Sequence, residues 1–386
     1  MAVIVLPRRI IWNEGSAEAL VALASDLDAS KILVVTDKVI RSLDWFDAMM
    51  NTLASNGLEV EVYVEVDPEP SLDVADEVAN AIRRVDPDLL LAVGGGSVID
   101  AAKAGKIRFL RPDTSIEDIA PFNPLRIEFE KPILVAMPTT AGTGSDASFG
   151  IVLTKVGERG REKIDVASYD IIPYATILDP RLPQSAPRSI IVGAALDALG
   201  HALEALVANQ ANPFTDALAE KVVPVIMTGL KEALEGEIDR MAEIHMAATM
   251  AGMAFTNGGL GLIHAIAHPL GAKLRIHHGT MVGIVIPAVV KYNYKDEYSK
   301  RKYEMVKTIL ESVYGLEPRD TLYDHILAFY KEVGFKHRIR DYGVERSRFE
   351  EVIDLVVEEA YHDPSIAYAR LIPAPEELRE LLESLY

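Results

Sequence analysis

The 386-residue sequence contains no cysteine. Disulfide bonds are therefore excluded, as are iron–sulfur clusters and metal sites built from thiolates. Any metal site in this chain must use histidine, aspartate or glutamate. The absence of cysteine is compatible with a reducing cytosol, and equally with a lineage that avoids thermolabile residues.

Positive charge is scarce, because 39 Lys and Arg stand against 58 Asp and Glu, for a formal net charge of −19. This balance argues against nucleic-acid binding and offers no basic patch to an anionic membrane. No run reaches the ~20 uninterrupted apolar residues of a transmembrane helix, and the most apolar segment, 191–208, carries Asp197, His201 and Glu204. The first residues, MAVIVLPRRIIW, lack the basic n-region of a signal peptide. We expect a cytoplasmic protein whose partners are small molecules, with no nucleic acid and no membrane.

The length predicts two domains. Up to about residue 180, short apolar segments alternate with helical patterns, which is typical of a parallel α/β sheet. The predicted strands are 31–37, 60–66, 88–93 and 132–137, and the helices between them include 44–56 and 71–84. Three prolines at 180, 183 and 187 mark a change in composition, and only helical patterns follow. We therefore predict an α/β domain over 1–183 and a helical domain over 184–386.

Three polar turns follow predicted strands of the first domain. The strand 88–93 runs directly into Gly94-Gly95-Gly96-Ser97 and then into a helix, an arrangement in which backbone N–H groups and the helix dipole favour a phosphate. This turn is neither a GxGxxG fingerprint nor a P-loop, and a purely structural turn explains it equally well. Asp37 follows another strand, where it could accept hydrogen bonds from ribose hydroxyls and repel a 2′-phosphate, or simply cap a helix. With the third turn, 139–145, these features indicate a dinucleotide site.

Histidines are concentrated in the second half. Asp197 and His201 lie four residues apart in a segment rich in Ala and Leu, and form a good half-site for a divalent cation. A buried Asp–His hydrogen bond is the alternative explanation of this pair. His264 and His278 could complete a set of one carboxylate and three imidazoles, which suits Fe²⁺, Zn²⁺, Co²⁺ or Ni²⁺. Such an ion would act as a Lewis acid on an alcohol or carbonyl.

Four segments carry a specific resemblance: AVGGGSVIDAAKA, PTTAGTGSDAS, LDALGHALEA, and GLGLIHAIAHPLGA followed by HHG. These segments resemble those of the iron-dependent, or group III, alcohol dehydrogenase family and occur in the same order. The resemblance covers essentially the whole chain. The resemblance implies a Rossmann-like α/β dinucleotide-binding domain with a parallel sheet, an all-α C-terminal domain, and an active site in the cleft between them. It also implies a metal-dependent NAD(P)(H) alcohol dehydrogenase that interconverts a small alcohol and its aldehyde or ketone by hydride transfer.

The resemblance also assigns expected roles to individual residues. It implies the metal ligands Asp197, His201, His264 and His278, with His268 near the metal as a proton carrier. For the cofactor it implies Asp37 at the adenosine ribose, Gly94, Gly95, Gly96, Ser97 and Val98 at the pyrophosphate, and Thr139, Thr140, Thr143 and Lys163 nearby. His277 stands where the family usually has proline, and receives no role. Phe255 is a candidate wall of a substrate pocket, with simple helix packing as the alternative.

Several expectations are more specific than membership of this family. We expect NAD(H) rather than NADP(H) from Asp37, and Fe²⁺ as the ion, with Zn²⁺ as the alternative. Arg275 could hold a carboxylate, which would favour a semialdehyde-acid reductase (a hydroxy-acid dehydrogenase), or it could be a surface charge. A lyase similar to dehydroquinate synthase shares the architecture and is a further alternative. The apolar segment 3–6 could pair across a homodimer, or within a higher homo-oligomer.

Overall fold

The structure, a computed structural model, describes residues 3–12, 15–121, 123–157 and 160–386. The chain forms two compact units, one of Ile4–Ala186 and one that contains Pro187–Tyr386. The domain bounds predicted from the sequence, 1–183 and 184–386, stay a prediction.

The first unit is built on strands and intervening helices. The described strands are β1 (Arg9–Trp12), β2 (Lys31–Val35), β3 (Glu59–Tyr63), β4 (Leu89–Gly94), β5 (Ile133–Pro138), β6 (Gly150–Gly157), β7 (Gly160–Ala167) and β8 (Ala175–Leu178). The helices are α1 (Ser16–Asp26), α2 (Lys38–Arg41), α3 (Asp44–Ser55), α4 (Asp73–Val85), α5 (Gly96–Leu110) and α6 (Arg181–Gln184). The predicted strands and helices of this half match these elements to within a few residues.

Six of the described strands form one parallel sheet in the order β1-β8-β5-β4-β2-β3. Alternate residues of β4 enter two separate hydrophobic cores: Leu90 packs with α4 and α5, whereas Leu91 packs with α1 and α3. Both faces of the strand are therefore buried, which is why β2 and β4 are continuous apolar runs.

The structure differs from the sequence-based expectations in three places. Strands β1 and β8 have only four residues each, too few to show a periodic pattern. The antiparallel hairpin β6–β7 lies outside the main sheet, and its second strand, GREKIDVA, is rich in charge. The segment 3–6, considered for pairing across a dimer, is not a strand here, and Val3, Ile4 and Leu6 are exposed.

The second unit is helical throughout its described residues apart from loops, as predicted. Its α-helices are α7 (Arg188–Val207), α8 (Pro213–Leu234), α9 (Ile238–Gly258), α10 (Leu262–Leu274), α11 (His278–Asn293), α12 (Glu297–Ser312), α13 (Leu322–Val333), α14 (Arg346–His362) and α15 (Pro375–Glu383).

Helix α7 is the central element of this unit. By length and composition it could span a membrane, but 94% of its most apolar window is buried inside the protein. That environment is the one expected of a core helix. Helix α11 approaches it closely, since a Cβ added to Gly279 would lie 2.2 Å from the carbonyl oxygen of Gly193. Only glycine fits at position 279, and the contact brings the start of α11, with His278, beside α7.

Candidate functional site

Three buried side chains share one face of α7. Asp197, His201 and Glu204 follow one another at intervals of four and three residues, so they project from the same side of the helix. Each is at most 4% exposed. Buried charged groups need partners, and those of α7 come from α10 and α11.

Imidazole nitrogens from three positions converge on one carboxylate oxygen. Oδ1 of Asp197 lies 3.2 Å from Nε2 of His278, 3.6 Å from Nε2 of His264 and 3.8 Å from Nε2 of His201. The rings of His201 and His264 are stacked, with centroids 4.6 Å apart. The four predicted ligands therefore meet around one point.

The spacing and the unused atoms fit a metal ion. Ligand atoms of Asp197, His201 and His264 lie within 4.8 Å of one another, and ligands held about 2.1 Å from a tetrahedral ion are about 3.4 Å apart. In the described part of the chain, neither Oδ1 of Asp197 nor Nε2 of His264 has a hydrogen-bond partner of acceptable geometry. Leaving such buried atoms unpaired costs about 1–3 kcal/mol each, and a cation coordinated by both would remove that cost.

The charge states around Asp197 also favour the binding of a metal ion. Burial alone would raise the pKa of Asp197, but the neighbouring His201, His278 and His264 hold its pKa well below the usual range. Burial lowers the pKa of His201 to about 3, against the attraction of Asp197. Burial also opposes the charged form of His264, yet Glu204 and Asp197 together raise the pKa of that ring to about 10. The ionised Asp197 and neutral His201 are ready to ligate, and an ion would replace the proton of His264.

His268 lies next to this cluster, and its described ion pair is with Asp363 rather than with Asp197. Its ring stacks on that of His278 with centroids 5.2 Å apart, and its Nδ1 lies 2.7 Å from Oδ2 of Asp363. Asp363 was missed by sequence reasoning, because it follows α14, far along the chain, and carries no local signal.

The other residues singled out near the histidines have defined surroundings. The ring of Phe255, in α9, packs on His201 with centroids 4.6 Å apart, so this residue forms part of the wall around the cluster. His277 is the N-cap residue of α11. Arg275 ends α10 in the left-handed region, with φ of 55°, and is exposed.

The predicted dinucleotide residues lie in the first unit and, apart from Lys163 on β7, follow the carboxyl ends of adjacent strands of the main sheet. Strand β4 ends at Gly94 and α5 begins at Gly96, so the turn leads straight into a helix N-terminus. A Cβ at Gly96 would lie 3.0 Å from Thr143, and one at Gly95 would lie 3.6 Å from Thr140. The turn after β5 is therefore packed against the turn after β4, and glycine at these two positions makes room for the threonines.

Five of the predicted cofactor residues have surroundings that bear on their expected role. Oδ1 of Asp37 accepts from the N–H of Ile40 at 2.8 Å, so Asp37 caps α2. The Ser97 hydroxyl donates to the carbonyl of Pro68 at 2.6 Å. Lys163 is exposed on β7. Val98 is buried in α5, with Thr139 buried at the end of β5.

A buried lysine contacts the end of the turn that follows β5. Sequence reasoning did not single out this residue. Nζ of Lys103 donates to the carbonyl oxygens of Ser148 and Gly150, both at 2.9 Å. Burial lowers the pKa of Lys103 to about 8, while the adjacent Asp100 favours its charged form. The fully buried ammonium ties helix α5 to the end of the turn that begins at Thr139.

A glycine-lined edge of a parallel sheet in one unit and an Asp/His cluster in the other are together the features of a metal-dependent dehydrogenase. Comparison with known proteins agrees. The family model for iron-containing alcohol dehydrogenase matches residues 7–180, and the model for the C-terminal part of the Fe-containing alcohol dehydrogenase family matches residues 191–383.

Individual proteins are similar over the same extent. An alcohol dehydrogenase of Thermococcus barophilus is 33% identical over 387 residues, covering 99% of this chain and 98% of that protein. An NADPH-dependent butanol dehydrogenase of Clostridium saccharobutylicum is 32% identical, covering 99% of this chain and 97% of that protein. The solved structure of an iron-containing alcohol dehydrogenase from Thermococcus thioreducens superimposes with a TM-score of 0.89 at 30% identity, covering 100% of this chain and 99% of that one.

The chain belongs to the iron-containing alcohol dehydrogenase family. It is a metal-dependent alcohol dehydrogenase, an oxidoreductase that acts on alcohols.

Proposed function

We propose that Asp197, His201, His264 and His278 hold the catalytic ion of this alcohol dehydrogenase. The observation that carries the proposal is the convergence of three Nε2 atoms on Oδ1 of Asp197. The cysteine-free set of one carboxylate and three imidazoles suits Fe²⁺, and Zn²⁺ is the alternative. When bound, the ion supplies Lewis-acid polarisation of the substrate oxygen.

The cofactor in this proposal is NAD(H), bound by residues 1–183. Gly94, Gly95, Gly96, Ser97 and Val98 hold its pyrophosphate, with Thr139, Thr140, Thr143 and Lys163 around the rest of the molecule. The position of Gly95, Gly96 and Ser97 at the N-terminus of α5, where all three are only partly buried, supports this assignment. When bound, the cofactor would supply the redox chemistry, a hydride for the carbonyl carbon of the substrate.

The catalytic chemistry is assigned to residues 184–386. His268 passes the proton to or from the substrate oxygen, and its contact with Asp363 supports this role by fixing the ring. Phe255 forms an apolar wall beside His201 and selects a small substrate.

Three finer points belong to the same proposal. The enzyme uses NAD(H) in preference to NADP(H), because the carboxylate of Asp37 repels a 2′-phosphate, although the similar butanol dehydrogenase is named as NADPH-dependent. The active form is a homodimer or a higher homo-oligomer. The protein works in the cytoplasm, with which its lack of cysteine is compatible.

The test is NADH oxidation by metal-stripped protein against a panel of aldehydes and semialdehyde acids, with Fe²⁺, Zn²⁺ or neither ion added. We expect the ions to restore turnover of plain aldehydes. Full turnover without any ion would overturn the ligand set. A marked preference for semialdehyde acids would favour the hydroxy-acid dehydrogenase.

A further inference from the structure

Glu204 is buried beside the proposed metal site. Its side chain is 3% exposed, and its Oε2 lies 2.5 Å from Nδ1 of His264. Its other oxygen, Oε1, accepts hydrogen bonds from the backbone N–H groups of Ile263 at 2.5 Å and His264 at 3.3 Å. One carboxylate therefore contacts both the backbone and the ring of the same histidine.

The backbone contacts fix where α10 begins. Ile263 and His264 are in the first turn of α10, where N–H groups have no partner within the helix, and the N-cap residue Gly261 makes no side-chain cap. Glu204 supplies the cap from α7 instead. A Cβ at Gly261 would lie 3.0 Å from Oε1 of Glu204, so the close approach depends on glycine.

The ring contact selects one tautomer of His264. Oε1 accepts from two backbone N–H groups, and Oε2 of the same side chain faces Nδ1 of His264 as a further acceptor. Nδ1 of His264 must then carry the proton toward Oε2. The lone pair of Nε2, which lies 3.6 Å from Oδ1 of Asp197, is left for an ion.

We propose that Glu204 is a positioning residue of the metal centre, which holds the ring of His264 in the Nδ1–H tautomer and anchors the helix that carries it. The inference rests on the ligand set of the proposed function, which does not itself include Glu204. Metal-bound histidines generally donate their second ring N–H to a carboxylate or carbonyl, and loss of that partner typically weakens metal binding about 10- to 100-fold.

The variant that isolates this role is Glu204→Gln. If the amide oxygen keeps the two backbone N–H groups, the amide NH₂ faces Nδ1 and donates to it. The ring proton then moves to Nε2, and the lone pair directed at the ion is lost. Because glutamine keeps the size of glutamate, the variant changes the tautomer with little change in packing.

The chain provides a matched control in Glu311→Gln. Oε1 of Glu311 lies 3.0 Å from Nε2 of the buried His325 and accepts from the backbone N–H of Arg319 at 3.0 Å. This pair reproduces the chemistry of Glu204 and His264, but neither residue belongs to the proposed ligand set.

The measurement is the Kd for Zn²⁺ of the metal-stripped proteins, obtained by competition with a chromogenic chelator, together with the visible absorption of the Co²⁺-loaded forms. Glu204→Gln should raise the Kd about 10- to 100-fold and alter the Co²⁺ spectrum, with apoprotein circular dichroism like that of the wild type. Glu311→Gln should leave both the Kd and the spectrum unchanged. If Glu204→Gln does not fold, Glu204→Asp, whose shorter side chain cannot reach all its partners, should show the same weakening.

The outcomes separate the two proposals. A wild-type protein that binds no Zn²⁺ or Co²⁺ would remove the ligand set, and the role of Glu204 with it. A wild type that binds the ions while a folded Glu204 variant binds them equally well would leave the ligand set intact and overturn the role of Glu204. An equal loss of affinity in Glu311→Gln would also overturn it, because the effect would then be a general one.

Discussion

Nδ1 of His268 lies 2.7 Å from Oδ2 of Asp363, although 95 residues separate them in the sequence. The second oxygen of Asp363 accepts from the N–H of Ser365 at 2.8 Å, so the carboxylate is itself held in place. Burial disfavours its charged form, but the contact with His268 keeps the pKa of Asp363 below its usual value. The ring of His268 is therefore fixed from outside the helix on which it lies.

We expect Asp363→Asn to lower kcat about 10- to 100-fold, within the range that a positioned acid or base contributes. The KM for the aldehyde and the metal content should change little, because the described hydrogen bonds of the Asp363 side chain are to His268 and Ser365, neither of which is a proposed metal ligand. Steady-state kinetics measures kcat and KM separately, and metal analysis in parallel measures the metal content. Asp324→Asn removes a capping carboxylate of α13 and should leave kcat unchanged. A variant with normal kcat would show that His268 needs no orientation by Asp363.

His264→Ala should abolish metal retention and turnover, because it removes both a ligand and the partner of Glu204. NADH binding should stay nearly intact, since the proposed cofactor residues belong to the other unit. Metal analysis and fluorescence titration with NADH measure the two effects. His325→Ala removes another buried histidine of the helical unit and should retain the metal. Full activity in metal-stripped His264→Ala would contradict the ligand assignment.

Asp37→Gly should relax the discrimination against NADPH. At a partly exposed site, like-charge repulsion amounts to about 1–2 kcal/mol, which corresponds to roughly tenfold in the ratio of kcat/KM for NADH and NADPH. The lost cap of α2 should cost only a few tenths of a kcal/mol, because glycine is tolerated at that position. Asp296→Gly removes the equivalent cap of α12 and should leave the cofactor ratio unchanged. A wild type that already prefers NADPH would contradict the role given to Asp37.

Asp88→Asn should destabilise the protein at neutral pH by about 1–2 kcal/mol. Lys131 and the backbone N–H groups of Ser30 and Lys31 contact this carboxylate, and lower the pKa of Asp88 to about 2. Because the pKa is lower in the folded protein than in the unfolded chain, the stabilisation is present above about pH 4 and is lost as the pH falls through about 2. Urea unfolding of both proteins at pH 7 and near pH 2.5 measures the difference. If the difference in stability stays constant over this range, ionisation of Asp88 is not its cause.

The periodic elements of the fold could be predicted from the sequence, because each leaves a local pattern. The buried strands β2, β4 and β5 are continuous apolar runs, and the helices of the second unit are long enough to show their period. The four-residue strands β1 and β8 carry too little pattern for this. Their place in the sheet depends on pairing with each other and with β5, which are interactions between segments far apart in the chain.

The sequence by itself determined the chemical types available, namely a cysteine-free site of carboxylate and imidazole, and the pairing of Asp197 with His201 on one helical face. Glu204, seven residues after Asp197, lies on the same helical face, but its local sequence assigned it no role. Only the tertiary structure decided that Glu204 meets Nδ1 of His264 and that Asp363 meets His268. The physical reason is that helical spacing relates residues within one element, whereas these contacts require separate helices to approach closely, as α7 and α11 do at Gly193 and Gly279.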